Sequence, residues 1–226
     1  YRVSLNLKNE QYQDVISDCN KILEINTEPS NLYKGIIERG FCYSKLEKYD
    51  EAISDFNRAI EIDPNESDAF CERGKIFREI NRLDEAISDF NRAIEIDPNE
   101  SDAFCERGKI FQETNRNEEA ILDFTNAISL NPDDSEPFLL RAKEFIKINF
   151  YKEALNDLSS ALKINKKSTD TYLIRSDLYF QIEEYGKSLN DLTKAIKLSP
   201  NNFLLFEKRA SVYSLLNLYQ GARDDY

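Results

Sequence analysis

The stretch Asp50–Phe77 recurs letter for letter at Asp84–Phe111, an offset of 34 residues, and a looser version of the pattern runs through nearly the whole 226-residue chain. A fixed period of this length means stacked units that bury their apolar faces against one another, not a globule built around one site. Such a chain is expected to offer a binding surface before it offers chemistry.

With Ser67 as position 1, units begin at Tyr33, Ser67, Ser101, Ser135, Thr169 and Phe203, preceded by a partial unit. Each reads as two helices, such as Ser67–Glu79 and Leu83–Ile96. Position 4 is bulky (Ile36, Phe70, Phe104, Phe138, Tyr172, Phe206), and so is position 11 (Tyr43, Phe77, Phe111, Phe145, Tyr179, Tyr213). Seven residues apart, they share one helix face. Position 8 is small (Gly40, Gly74, Gly108, Ala142, Ser176, Ala210), as are position 20 (Ala52 to Ala222) and position 27 (Ala59 to Ala195). Position 24 is Phe56, Phe90, Phe124, Leu158, Leu192 and Tyr226. Large residues opposite small ones let helices approach closely without voids.

The boundaries carry their own chemistry. Asp63-Pro64-Asn65, Asp97-Pro98-Asn99, Asn131-Pro132-Asp133 and Ser199-Pro200-Asn201 end the second helices, because proline lacks the helical donor and restricts the residue before it. Ser67 and Ser101 are expected N-caps, with Asp68 and Asp102 in the first turn. Asn81-Arg82 and Asn115-Arg116 mark short turns that make paired helices antiparallel neighbours.

Small residues at 8 and 20, aromatics at 4, 11 and 24, alanine at 27 and proline at 32 resemble the tetratricopeptide repeat, over essentially the whole chain. The resemblance implies an all-α, right-handed superhelical solenoid of antiparallel helix pairs. The block boundaries expected are a partial repeat 1–32, repeats 33–66, 67–100, 101–134, 135–168 and 169–202, and a partial repeat 203–226. Two departures stand out. Lys166 replaces the proline, so the preceding helix is expected to run on to it, and three extra residues with Pro29 among them fall between Asn26 and Tyr33. Tyr1–Lys8 fits a first helix poorly and is expected to fray. With no methionine and a start and stop within the pattern, the chain reads as a piece of a longer one.

Position 7 is arginine in all six units (Arg39, Arg73, Arg107, Arg141, Arg175, Arg209), and position 23 is aspartate throughout (Asp18, Asp55, Asp89, Asp123, Asp157, Asp191, Asp225). The favoured reading is a salt bridge from each second helix to the following first helix, over a ladder of arginines for an anionic ligand.

In the family, positions 2, 5, 6, 9, 12 and 13 of the first helix face a concave groove that usually binds peptides or protein segments. The middle units would present Glu72, Lys75, Glu106 and Lys109, a polar lining. The later units would present Leu139, Leu140, Lys143, Ile146, Leu173, Ile174, Phe180 and Leu204, an apolar one. Apolar residues on a face the core does not need signal an interaction surface.

The net charge of −12 argues against a nucleic-acid partner. No apolar run approaches the roughly 18 residues that span a membrane. Oligomerisation is left open. Cys71 and Cys105 occupy equivalent positions roughly 10 Å apart by helix-packing distance, too far for a disulfide. Free thiols point to a reducing compartment, hence the cytoplasm. Without histidine the commonest general base is missing, there is no phosphate-cradling glycine loop, and no metal-ligand spacing occurs. The expected role is therefore a non-catalytic protein–protein interaction scaffold with no cofactor. Alternatives are the substrate-recruiting arm of a larger enzyme, or a co-chaperone gripping an acidic chaperone tail. The cationic clamp of such co-chaperones is not reproduced here. If position 20 lies in a tight helix seam, Ala86→Leu or Ala120→Leu will cost about 1–3 kcal/mol of stability by overpacking, measured by denaturant unfolding.

Overall fold

The structure is a computed structural model that describes residues 2–25 and 28–225, the side chains of residues 2–10 excepted. Among the described residues there are thirteen α-helices and no strand: α1 (Arg2–Ile25), α2 (Pro29–Lys45), α3 (Tyr49–Ile62), α4 (Ser67–Glu79), α5 (Leu83–Ile96), α6 (Ser101–Glu113), α7 (Asn117–Leu130), α8 (Ser135–Lys147), α9 (Tyr151–Ile164), α10 (Thr169–Gln181), α11 (Tyr185–Leu198), α12 (Phe203–Leu215) and α13 (Tyr219–Asp225). They fall into two compact units, Tyr1–Thr114 and Asn115–Tyr226. In the first, α2 packs on α3, α4 on α5, and each second helix packs on the next first helix. The second repeats this with α8/α9, α10/α11 and α12/α13. This is the all-α solenoid of helix pairs that the period requires.

Every turn inside a helix pair is built alike. Its middle residue takes a left-handed conformation, with φ of 57–63° at Glu47, Asn81, Asn115, Asn149, Glu183 and Asn217. The amide after it donates five residues back: Arg82 N to Phe77 O at 2.7 Å, Phe150 N to Phe145 O at 2.8 Å, Leu218 N to Tyr213 O at 2.8 Å. This closes a Schellman-type C-terminus, and asparagine is the non-glycine residue that tolerates the geometry best.

Helix ends correct two expectations. Ser67 and Ser101 are not N-caps: Glu66 and Glu100 hold that place without a side-chain cap bond, and Ser67 is buried inside the first turn. Caps form instead at Asp134, Ser168 and Asn202, whose oxygens accept from Glu136 N, Thr171 N and Leu204 N. Nor does α9 run on to Lys166. It stops at Ile164, because the Asn165 side chain accepts from Lys167 N at 3.1 Å. That turn duplicates the Asp63–Asn65 and Asp97–Asn99 turns and needs no proline.

The first segment also differs from expectation. Arg2–Lys8 belongs to a continuous 24-residue helix, since Asn9–Tyr12 contains neither Gly nor Pro to break it. The extra residues near Pro29 lengthen α2 to 17 residues, with Pro29 in its first turn, where its missing donor costs nothing. Asn26, at the start of that insertion, and Tyr226, at position 24, lie outside the described residues.

Between paired helices lies a seam of position 8 against position 24. A Cβ added to Gly40 would meet the Phe56 ring at 2.9 Å, and one added to Gly74 the Phe90 ring at 2.9 Å. Both rings are fully buried. In two repeats where position 8 gains a side chain, position 24 is smaller: Ala142 comes with Leu158 and Ser176 with Leu192. Ser176 and Ser188, at positions 8 and 20, satisfy each other by a buried hydroxyl contact of 2.8 Å.

The arginines do not bridge to the following repeat as expected. Five of them pair within their own helix pair. Arg39–Asp55, Arg73–Asp89, Arg141–Asp157, Arg175–Asp191 and Arg209–Asp225 are bidentate, with Nε donating to Oδ2 at 2.7–2.8 Å. The remaining guanidinium nitrogen, Nη1, reaches back to the preceding second helix, at Asn20, Asn57, Thr125, Ser159 or Thr193. One side chain thus ties three helices. Rings at positions 4 and 11 flank it, as Phe70 and Phe77 flank Arg73 at 5.7 and 5.6 Å. Asp18, in the partial unit, pairs with exposed Lys21 instead.

This arrangement leaves several of the position 4 and 11 residues only half-buried. Besides the small residues at position 8, the fully covered first-helix positions are 3 and 10, including Ala69, Ala103 and Leu205, and Ile76, Ile110, Leu178 and Val212. At position 10 the fourth full repeat carries Glu144, 0% exposed, whose Oε1 takes the Lys147 ammonium at 2.7 Å. The seam sets a contrast in stability. Gly74→Ala is expected to cost about 1–3 kcal/mol against the immovable Phe90 ring. Gly186→Ala, where a Cβ meets nothing within 4 Å, is expected to stabilise by about 0.5–1 kcal/mol. Paired denaturant titrations measure both.

Candidate functional site

In the Tyr1–Thr114 unit the first helices α2, α4 and α6 are neighbours and form one face. The four polar residues expected there are on it, and their charges are mutually engaged. Lys75 Nζ pairs with Glu72 at 2.7 Å and lies 3.5 Å from Asp102. Lys109 pairs with Glu106 at 2.8 Å, and Arg78 reaches Glu106 at 3.2 Å. Burial alone would pull the Lys75 ammonium down, but Cys71, Glu72 and Asp102 outweigh it and hold its pKa above the ordinary lysine value.

Between α2, α4 and the start of α6 the face sinks into an open hollow of about 570 Å³. Tyr33, Ile37, Phe41 and Cys71 supply apolar lining, and Glu38, Glu66, Asp68, Glu72, Glu100 and Asp102 line it with charge. Burial, then the charges of Asp68 and Glu66, push the Tyr33 phenol up to about 12. Burial, then repulsion from Asp102 and Asp68, raises the Glu100 carboxyl. Cys71 and Cys105 are buried free thiols, and burial pushes the Cys71 thiol strongly upward.

Sequence reasoning chose Glu72 and Lys75 here and passed over Tyr33, Phe41, Glu66 and Glu100. The available signal was Phe41 at position 9, where the next three repeats have lysine. The glutamates before each first helix were hidden because they lie outside the helix positions expected to line the groove.

In the Asn115–Tyr226 unit the apolar residues separate into two groups. Leu140 is 9% exposed and belongs to the interior, so it offers almost no surface. Leu139, Ile146 and Ile174 pack partly on the core of Ala142, Ala154, Leu158 and Leu178, while Leu173 packs on that of Leu192 and Leu205. Lys143, Ile146 and Ile174 border a hollow of about 310 Å³ with Asp177 and Gln181. Phe180, 40% exposed, borders a neighbouring one of about 190 Å³. There Lys208 and Asp177 join α12 to α10 at 2.8 Å. Leu204 is 48% exposed on α12.

Sequence profiles of the tetratricopeptide repeat match residues 34–66, 56–88, 101–134 and 169–202, and a further TPR repeat profile matches 74–115. The chain belongs to the tetratricopeptide repeat family, a class of protein-interaction scaffolds whose members are generally non-catalytic. No characterised protein sequence matches it. Among solved structures it is similar to PilF of Pseudomonas aeruginosa, at 18% identity and a TM-score of 0.77, covering 87% of this chain and 90% of that one. It is also similar to YrrB, described as a TPR protein with an unusual peptide-binding site, at 20% identity and a TM-score of 0.66 over 84% and 97%. A tetratricopeptide repeat protein of Parabacteroides merdae matches at 22% identity and a TM-score of 0.68 over 85% and 77%. At these identities the likeness is one of fold. Among the described residues no helix is long and apolar enough to cross a membrane.

The raised Glu100 carboxyl has a measurable sign. Its folded state holds the proton more tightly than the unfolded chain, where the value is the ordinary 4.5. Stability is therefore lost as pH rises from 4.5 through the raised value. Glu100→Gln is expected to raise the unfolding midpoint at neutral pH and to flatten its pH dependence just above pH 4.5, read by thermal unfolding across a pH series.

Proposed function

We propose that this chain is a non-catalytic scaffold that holds an extended peptide or protein segment along the faces formed by its first helices. The carrying observation is the face of the Asn115–Tyr226 unit, where Phe180 and Leu204 remain exposed and Ile146 and Ile174 border an open hollow beside Lys143 and Asp177. Ile146 and Ile174 also pack partly on the core, whereas Phe180 and Leu204 stay 40% and 48% exposed beyond it. Apolar side chains interleaved with a lysine and an aspartate suit a segment that buries one or two apolar residues and aligns its backbone by polar contacts. YrrB, a protein of the same fold, is described as having a peptide-binding site, which supports peptide binding as a use of this fold.

The partner segment is read as predominantly apolar at this unit. Leu140 is excluded from the test because substituting a buried leucine changes stability as well as binding. Short peptides selected on the immobilised chain are expected to lose about tenfold or more in affinity for an Ile174→Asp/Phe180→Asp variant, with native helical content retained by circular dichroism. Undiminished binding by a folded variant would move the site off this face.

A further inference from the structure

We infer that the first-helix face of the Tyr1–Thr114 unit selects a positively charged segment of its partner, an inference that rests on the polypeptide-binding reading above. The hollow between α2, α4 and α6 is lined by six carboxylates, Glu38, Glu66, Asp68, Glu72, Glu100 and Asp102, against two lysines, Lys34 and Lys75. The local excess is therefore four negative charges, six minus two. Lys75 is already committed to Glu72 and Asp102. Glu38, Glu66, Asp68 and Glu100 make no ion pair among the described residues.

Acids in a first helical turn are ordinary complements of the helix dipole, which accounts for Asp68 and Asp102. It does not account for Glu38 and Glu72, which sit in helix interiors and face the same space. The next repeat, identical over Ser101–Phe111, shows the contrast: Glu106 is answered by both Lys109 and Arg78, whereas Glu72, its equivalent, shares the single Lys75 with Asp102. The uncompensated charge is thus concentrated over one concavity. Burial first, and then the nearby charges of Asp102 and Asp68, raise the Glu100 carboxyl; a bound cation would relieve the second cause.

The floor fixes the rest of the ligand. Tyr33, Ile37, Phe41 and Cys71 are apolar, and Phe41 is 38% exposed with the Lys45 ammonium 4.7 Å over its ring. A ring in this hollow therefore already receives a cation from its own helix. An extended segment in which arginine or lysine alternates with an apolar residue would set the cations on the carboxylates and the apolar side chain on the floor. An acidic segment would be repelled.

The test uses the full 226-residue chain and three labelled peptides in fluorescence anisotropy: alternating Arg and Leu, the same with Gln for Arg, and the same with Glu for Arg. The Arg peptide is expected to bind about tenfold or more tighter than the Gln peptide, and the Glu peptide weakest. Raising sodium chloride from about 50 to about 500 mM should erase most of the Arg advantage. Glu66→Gln/Asp68→Asn/Glu100→Gln should remove the Arg preference and leave Gln-peptide affinity unchanged, whereas Phe180→Asp should leave the Arg preference intact. Equal binding of Arg and Gln peptides overturns the charge inference while the polypeptide-binding reading stands. An undiminished Arg preference in the folded triple variant overturns it as well. Binding of no peptide at all sinks both. Displacement of the Arg peptide by calcium chloride, well beyond sodium chloride of equal ionic strength, would reassign the hollow to a metal ion.

Discussion

The distance between the two helices of a repeat is set where a buried ring meets a residue with almost no side chain. At Gly40 against Phe56 and Gly74 against Phe90 there is no room for a Cβ. Other contacts depend on that spacing. It brings the position 7 guanidinium within bidentate reach of the position 23 carboxylate, and it leaves the third guanidinium nitrogen pointing at the preceding helix. A charged pair this covered would be a poor source of stability in isolation, because desolvation offsets much of its attraction. Its value lies in direction: a planar fork with flanking rings accepts one orientation of three helices and rejects others.

Much of this was legible from the sequence because the chain states its rules several times over. Helix bounds such as Ser67–Glu79 and Leu83–Ile96 follow from period and punctuation and recur unchanged in space. What was not legible turns on local competition. Ser67 carries a capping side chain, yet its place one residue inside the helix buries it. Lys166 removes a proline, yet Asn165 stops the helix by its own side chain. The arginine–aspartate pairing was visible as two counts in step, but a constant spacing along a periodic chain fits the same repeat and the next equally well. Only geometry separates them. Positions 3 and 10 escaped notice because small and medium aliphatics are less conspicuous than the aromatics at 4 and 11, which turn out to flank the arginine.

The interaction face was read with similar unevenness. Its chemical drift, polar in the middle repeats and apolar in the later ones, is written in the residues. How far each side chain is consumed by its neighbours is not. Leu140 and Ile174 share position 6 of successive repeats, yet one is interior and the other borders a hollow. The overall charge of −12 looked like general solubility. Its distribution is uneven, since acids gather around one concavity of the Tyr1–Thr114 unit while elsewhere on that face the cations answer them.

The duplicated stretch crosses the boundary between two repeats. It runs from a second helix through a turn into the next first helix, so both sides of a repeat junction are copied together. The packing of α3 on α4 and that of α5 on α6 are therefore written by nearly the same residues. A segment one period long can be added or removed inside this region by recombination between the copies, and the chain that results contains only junctions already present. The solenoid can change its length without having to evolve a new interface, and any ligand that reads successive repeats gains or loses a whole step of the ladder at once.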